Sequence, residues 1–123
     1  MILVTGGAGY IGSHCVLALL DKGLDVVVFD SLETGHIETI ETLKSADAKG
    51  KVVDFIKGDL KNLSDIESVF EKHNIDAVIH FAAFSLVGES VKEPQKYYYN
   101  NVYGTLNLLN AMLSHNVKKI VFS

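Results

Sequence analysis

The chain has little of what disulfide-stapled, metal-binding or membrane proteins are built from. Its single cysteine, Cys15, excludes an intrachain disulfide and fits a reducing compartment. On an apolar helix face it reads as a packed thiol, because no basic neighbour marks it as reactive. The five histidines fall at no metal-ligand spacing with cysteine or carboxylates, so no metal site is expected. No apolar run approaches the roughly eighteen residues of a membrane span. No basic region precedes the first apolar residues, as a signal peptide would require. The chain therefore reads as cytosolic, with no membrane partner. A formal charge of −4 and the lack of any Lys/Arg cluster argue against a nucleic-acid surface. Repeats, low-complexity tracts and linkers are missing too, and 123 residues suffice for one domain with a real core.

What is present is a regular alternation of strand-like and helix-like segments. "MILVT" is a β-prone run, followed by a glycine loop and a helix carrying Ile11, Cys15, Ala18 and Leu19, with Gly23 as its stop. "DVVVFD" is a second strand, and Ile37, Ile40 and Leu43 mark a second helix. "KVVDFIKGD" is a third strand. The next helix opens on a capping-box pattern, Ser64 with Glu67, and carries Ile66, Val69 and Phe70 on one face. "DAVIHFAA" is a fourth strand, in which His80 reads as a hydrogen-bonded core histidine. The longest helix is expected from about Gln95 to Ser114, with a stripe of Tyr98, Val102, Leu106, Leu109 and Leu113 and tyrosines 97–99 packing at its start. "KKIVFS" opens a fifth strand. Strands apolar on both faces and separated by helices predict an α/β fold, a doubly wound parallel sheet of Rossmann type in the order 3-2-1-4-5, truncated after the fifth strand.

The first strand-to-helix connection is "VTGGAGYIGSH", in which Gly6, Gly9 and Gly12 recur at every third position and Gly7 lies between the first two. Such spacing suits a loop that turns tightly, lets a pyrophosphate approach the backbone and packs helix against strand. The helix N-terminus then offers unpaired N–H groups and a partial positive charge to phosphates. Alone, the motif is weak. Here a strand precedes it, a helix follows, and the second strand ends in Asp30, eighteen positions beyond Gly12. A carboxylate there accepts hydrogen bonds from a ribose hydroxyl pair and repels a 2′-phosphate, so NAD is expected over NADP. A Walker-type loop is excluded, since no Gly-Lys-Ser/Thr follows.

Ligands of this topology lie beyond the carboxyl ends of the strands. Asp59 and Leu60 end the third strand where an adenine is expected. Phe81, Ala82 and Ala83 end the fourth, and the small alanines leave room for a cofactor near the backbone. Asn100 and Asn101 interrupt the long helix off its apolar stripe, which suits either a polar task or an exposed face.

In this order, "VTGGAGYIGSH", "GDL", "VIHFAA", "VGES", "YYYNNVYGT" and "KKIVFS" resemble the extended short-chain dehydrogenase/reductase superfamily, and within it the UDP-glucose (UDP-galactose) 4-epimerase family. The resemblance covers essentially the whole chain. It implies an NAD site built from Tyr10 and Ile11, from Asp30, Ser31, Leu32, Glu33, Thr34 and Gly35, from Asp59 and Leu60, from Phe81, Ala82, Ala83, Phe84 and Ser85, and from Asn100. Ser31 stands where many relatives have asparagine, and Ser85 where one branch has a lysine.

In such epimerases NAD⁺ takes hydride from C4 of a UDP-sugar while the tyrosine of a Tyr-x-x-x-Lys pair accepts the proton. None of the five tyrosines here has lysine four residues later. The resemblance therefore implies that the pair and the UDP-sugar domain lie beyond Ser123. Residues 1–123 are then an incomplete NAD-binding domain with no catalytic residue of its own. By the same resemblance the long helix is a candidate homodimer surface. Two other readings stand beside it: another NAD-dependent nucleotide-sugar epimerase or dehydratase, and a non-catalytic dinucleotide-sensing module.

Overall fold

A computed structural model describes all of residues 1–123. The β-branched runs form five strands: β1 (Ile2–Thr5), β2 (Val26–Asp30), β3 (Val52–Lys57), β4 (Ala77–His80) and β5 (Ile120–Phe122). They pair all-parallel in the order β3-β2-β1-β4-β5, as the alternation predicts. β1 and β2 lie inside the sheet and are apolar on both faces. Val4, Val26 and Val28 point to one side, under α1 (Tyr10–Asp21) and α2 (Ile37–Lys44). Leu3, Val27, Phe29 and Val78 point to the other, where α3 (Leu63–Lys72) and α6 (Gly104–Ser114) supply Ile66, Val69, Leu108 and Met112. No helix is long and apolar enough to cross a membrane.

Helix positions follow the predicted segments, but their buried faces differ in places. α1 buries Gly12, Val16 and Leu20, while Ile11 is exposed and Cys15 half-buried. Burial pushes the Cys15 thiol above its ordinary pKa, which keeps it protonated and unreactive. Gly23, at φ +80°, ends the helix as expected. The capping box does not form. The N-cap lies two residues earlier, at Asn62; Ser64 Oγ donates to Asn62 Oδ1, and the Asp65 carboxylate accepts from the Asp59 N–H and Asn62 Nδ2.

The largest departure lies after Pro94. Instead of one long helix there are three parts: the short α5 (Pro94–Tyr97), a π-helical turn at Tyr98–Tyr103, and α6. Tyr97 alone of the three tyrosines is buried. The stripe of Tyr98, Val102, Leu106 and Leu113 faces solvent, and the packed face holds Gly104, Asn107, Leu108, Ala111 and Met112. The segment carries two apolar faces, and close approach selects the one with small residues. A Cβ on Gly104 would lie 3.1 Å from the Leu60 Cβ, and Asn107 Nδ2 donates to the Leu60 carbonyl at 2.8 Å. One further short helix, α4 (Val87–Lys92), precedes α5, with Glu93 alone between them.

Buried polar groups are few and paired. His80, 2% exposed, has Nδ1 2.6 Å from Thr5 Oγ1 and Nε2 3.0 Å from Thr105 Oγ1. Desolvation of the imidazolium depresses its pKa from 6.5 to about 4. Because the folded pKa lies below the unfolded one, this stabilisation is complete above pH 6.5 and drains away as pH falls toward 4.

Two outcomes are expected. Between pH 7 and 4.5 the parent should lose about 2–3 kcal/mol of urea-unfolding free energy through His80, and His80→Gln should show a shallower fall over that window. An equal slope in both proteins would refute the buried neutral imidazole. At Gly12, an added Cβ would collide with the Gly6 carbonyl oxygen and lie 2.8 Å from its carbon. Gly12→Ala is therefore expected to cost about 1–3 kcal/mol in the same unfolding measurement.

Candidate functional site

β1 and β4 are neighbouring parallel strands whose carboxyl ends lie side by side, and the connections leaving them diverge to opposite faces of the sheet, which opens a crevice at this switch point. The structure has a cavity of about 370 Å³ there. All the predicted residues line it except Leu32, Glu33 and Gly35, and Phe29, Gly58 and Ser123 join them.

The floor is the glycine loop. Gly6 takes φ +73°, and a Cβ on it would lie 2.7 Å from the Ala82 nitrogen, so it must be glycine for both conformation and proximity to the β4 exit. Its N–H bonds the Phe29 carbonyl at 2.8 Å. Gly9 differs. A Cβ there would have only one neighbour, the Gly6 oxygen at 3.4 Å, so its outer face is open. Gly9 is also the N-cap of α1 and supplies no side-chain cap. The first-turn N–H groups of a helix have no partner inside it, so this end of α1 offers donors and positive potential to the crevice.

Asp30 closes one end. Its Oδ2 accepts the Ala8 N–H and its Oδ1 the Leu32 N–H, both at 2.9 Å. The carboxylate therefore ties the glycine loop to the loop after β2, a role that spacing in the sequence does not reveal. Leu32 is held at φ +60°, a strained left-handed conformation for a branched residue. A Cβ on Gly35 would lie 2.8 Å from Ala8 Cβ, and His36 N–H reaches the Ala8 carbonyl at 3.3 Å. Leu32 and Gly35 thus pack behind the wall, Glu33 is exposed away from the cavity, and Ser31 and Thr34 face it.

Asp59 is fixed by its own turn. Its Oδ1 accepts the Lys61 N–H at 2.8 Å and its Oδ2 lies 3.3 Å from Lys61 Nζ. Gly58 was not singled out by sequence, yet a Cβ there would sit 2.6 Å from the Phe29 ring. Its signal was the Gly-Asp pair that follows a strand.

The far wall runs from Phe81 to Ser85 and carries no regular secondary structure. Phe81 N–H bonds the Thr5 carbonyl at 3.0 Å. The Phe84 ring lies under the ammonium groups of Lys61, at 5.6 Å, and Lys96, at 4.9 Å. Asn101 grips the Phe84 backbone: Oδ1 accepts its N–H and Nδ2 donates to its carbonyl, each at 2.9 Å. Asn100 lines the crevice, and its Nδ2 donates to Asn101 Oδ1 at 2.9 Å. Further along, Tyr97 Oη donates to Glu89 Oε2 at 2.7 Å and accepts the Leu86 N–H at 3.2 Å. Lys96 Nζ bonds Glu89 Oε1 at 2.8 Å, which holds the half-buried Glu89 carboxyl below its ordinary pKa. The crevice thus combines an open glycine face, an uncapped helix end, one buried acid and an asparagine-pinned rim. No cluster of metal-ligating side chains is present.

Comparison with known proteins agrees with this geometry. Residues 3–123 match the family model described as GDP-mannose 4,6 dehydratase. The UDP-glucose 4-epimerase of Halalkalibacterium halodurans is 54% identical over 122 residues, which cover 99% of this chain and 34% of that protein. UDP-glucose 4-epimerase 3 of Oryza sativa is 52% identical over 124 residues, covering 99% of this chain and 33% of that protein. The crystal structure of UDP-glucose 4-epimerase from Bifidobacterium longum in complex with NAD⁺ and UDP superposes with a TM-score of 0.92 at 45% identity, over 99% of this chain and 36% of that one. The chain spans about a third of the length of these relatives. It belongs to the GDP-mannose 4,6 dehydratase family, and its likeness over its whole length is to UDP-glucose 4-epimerases.

Proposed function

We propose that residues 1–123 are the NAD-binding domain of a UDP-glucose 4-epimerase, an isomerase interconverting UDP-galactose and UDP-glucose. The observation that carries this reading is the crevice at the β1/β4 switch point, where the open face of Gly9 and the uncapped α1 meet the Asp30 carboxylate. The residues fit a dinucleotide. The α1 N-terminus would face its pyrophosphate, and Asp30, whose oxygens retain further lone pairs, would accept from the adenosine ribose hydroxyls. Asp59 and Leu60 would border the adenine, with Phe81–Ser85 and Asn100 beside the other half. The chemistry supplied at such a site is reversible hydride removal from C4 of the sugar, through a 4-keto sugar. This chain's own residues bind and orient.

The Tyr-x-x-x-Lys pair for proton transfer is not among these residues, and most of the UDP-sugar site is proposed to lie outside them. The solvent-facing stripe of Tyr98, Val102, Leu106 and Leu113 supports pairing with a second copy. A cytoplasmic setting suits the lone, protonated Cys15.

Calorimetry is expected to give tighter binding of NAD⁺ than NADP⁺. Asp30→Asn removes the charge that repels a 2′-phosphate and leaves one amide acceptor for the loop. It should weaken NAD⁺ by about 1–3 kcal/mol and shrink the preference; an unchanged NAD⁺/NADP⁺ ratio would overturn the assignment. The full-length protein is expected to convert UDP-galactose to UDP-glucose. Dinucleotide binding without conversion would favour a sensing module instead.

A further inference from the structure

We propose that a directional hydrogen-bond relay, Thr5–His80–Thr105–Asn101, fixes the π-helical turn and thereby pins the crevice rim at Phe84, making His80, Thr105 and Asn101 positioning residues for the site. The proposal deepens the dinucleotide reading and rests on it for the identity of the ligand.

The direction follows from proton counting. Thr105 has one hydroxyl proton, and its oxygen lies 2.6 Å from the Asn101 carbonyl, which can only accept. That bond uses the proton. His80 Nε2, 3.0 Å from the same oxygen, must therefore donate to it. In a neutral ring Nδ1 is then bare, and it accepts from Thr5 Oγ1 at 2.6 Å. The other tautomer would set two lone pairs together at Thr105, whereas the Thr5 hydroxyl can serve either ring, so the Thr105 end decides. Each member has one workable orientation. The relay begins at Thr5, the last residue before the glycine loop, and crosses from β1 through β4 to the helical segment.

Its end point is the π-helical turn. The Gly104 N–H bonds the Tyr99 carbonyl five residues back, a geometry that α-helices avoid and that recurs at functional sites. The Thr105 hydroxyl on the Asn101 carbonyl supplies a bond within this irregular stretch. Asn101 is thereby aimed at Phe84, whose N–H and C=O it satisfies together. Its amide cannot be flipped, because Oδ1 faces two donors, Phe84 N–H and Asn100 Nδ2. One residue thus holds the rim and orients the Asn100 side chain that lines the cavity. The tie from Leu86 N–H to Tyr97 Oη is separate, so the two can be broken independently.

The test uses Thr105→Val, Thr105→Ser and Asn101→Ala in the full-length protein. Amide exchange at Phe84 is expected to rise about tenfold in T105V and N101A, with NAD⁺ Kd rising about tenfold, as for one lost buried hydrogen bond. T105S keeps the hydroxyl and should stay within about twofold of the parent. The ¹⁵N shifts of His80 in the parent should show the Nε2–H tautomer. Parental Phe84 exchange and NAD⁺ affinity in T105V and N101A would overturn the proposal, as would an Nδ1–H ring. Should T105V fail to fold, N101A and the His80 tautomer decide. If the parent binds no dinucleotide, the proposed function fails, while Phe84 exchange and the His80 ring still judge the relay.

Discussion

The carboxyl edge of the sheet depends on how little room exists where β1 hands over to α1. Gly6 sits against the Ala82 backbone on one side and bonds the Phe29 carbonyl on the other, while Gly12 packs on the Gly6 carbonyl. Backbone touches backbone at each of these points. No side chain fits, so the loop follows the strands closely and α1 starts directly above the switch point. The crevice, its open Gly9 face and the donors at the α1 N-terminus are consequences of that single close approach.

The same edge is laced by polar groups that act between elements. Asp30 holds the glycine loop and its own following turn. His80 joins β1 to the helical segment through the two threonines, and Asn101 joins that segment to the rim. These are side chains short of water, so each lost partner leaves a costly unpaired group. Beyond Phe81, whose N–H reaches the Thr5 carbonyl, the wall after β4 has no regular ladder. Its position is set by what grips it.

Legibility in the sequence varied with the kind of signal. The strand order followed from apolar runs alternating with helices, because right-handed crossovers leave few arrangements. The crevice residues were legible because parallel strands deliver their carboxyl ends to one edge. Buried helix faces were less so. α1 turns Gly12, Val16 and Leu20 inward rather than Ile11 and Cys15, and of the stripe from Tyr98 to Leu113 only Leu109 packs on the core. Small residues on the packed face carry no hydrophobic signal, yet they permit the closest approach. The capping box at Ser64 gives way to an Asp65 carboxylate that accepts from the Asp59 N–H and Asn62 Nδ2 of the preceding loop, and no side chain caps the helix.

By itself, then, the sequence determined the sheet and its order, the glycine loop, the acid at the end of β2 and the likeness to epimerases. Those rest on local spacing and on residue types whose backbone freedom or charge is intrinsic. Tertiary structure alone decided that Asp30 also braces the loop, that Leu32 adopts φ +60°, and that the helix after Pro94 breaks into a π-helical turn. It also decided that Asn101 grips Phe84 across seventeen positions of sequence. Each of these depends on a partner brought close by folding, and a hydrogen bond between distant positions leaves no periodicity for a single sequence to display.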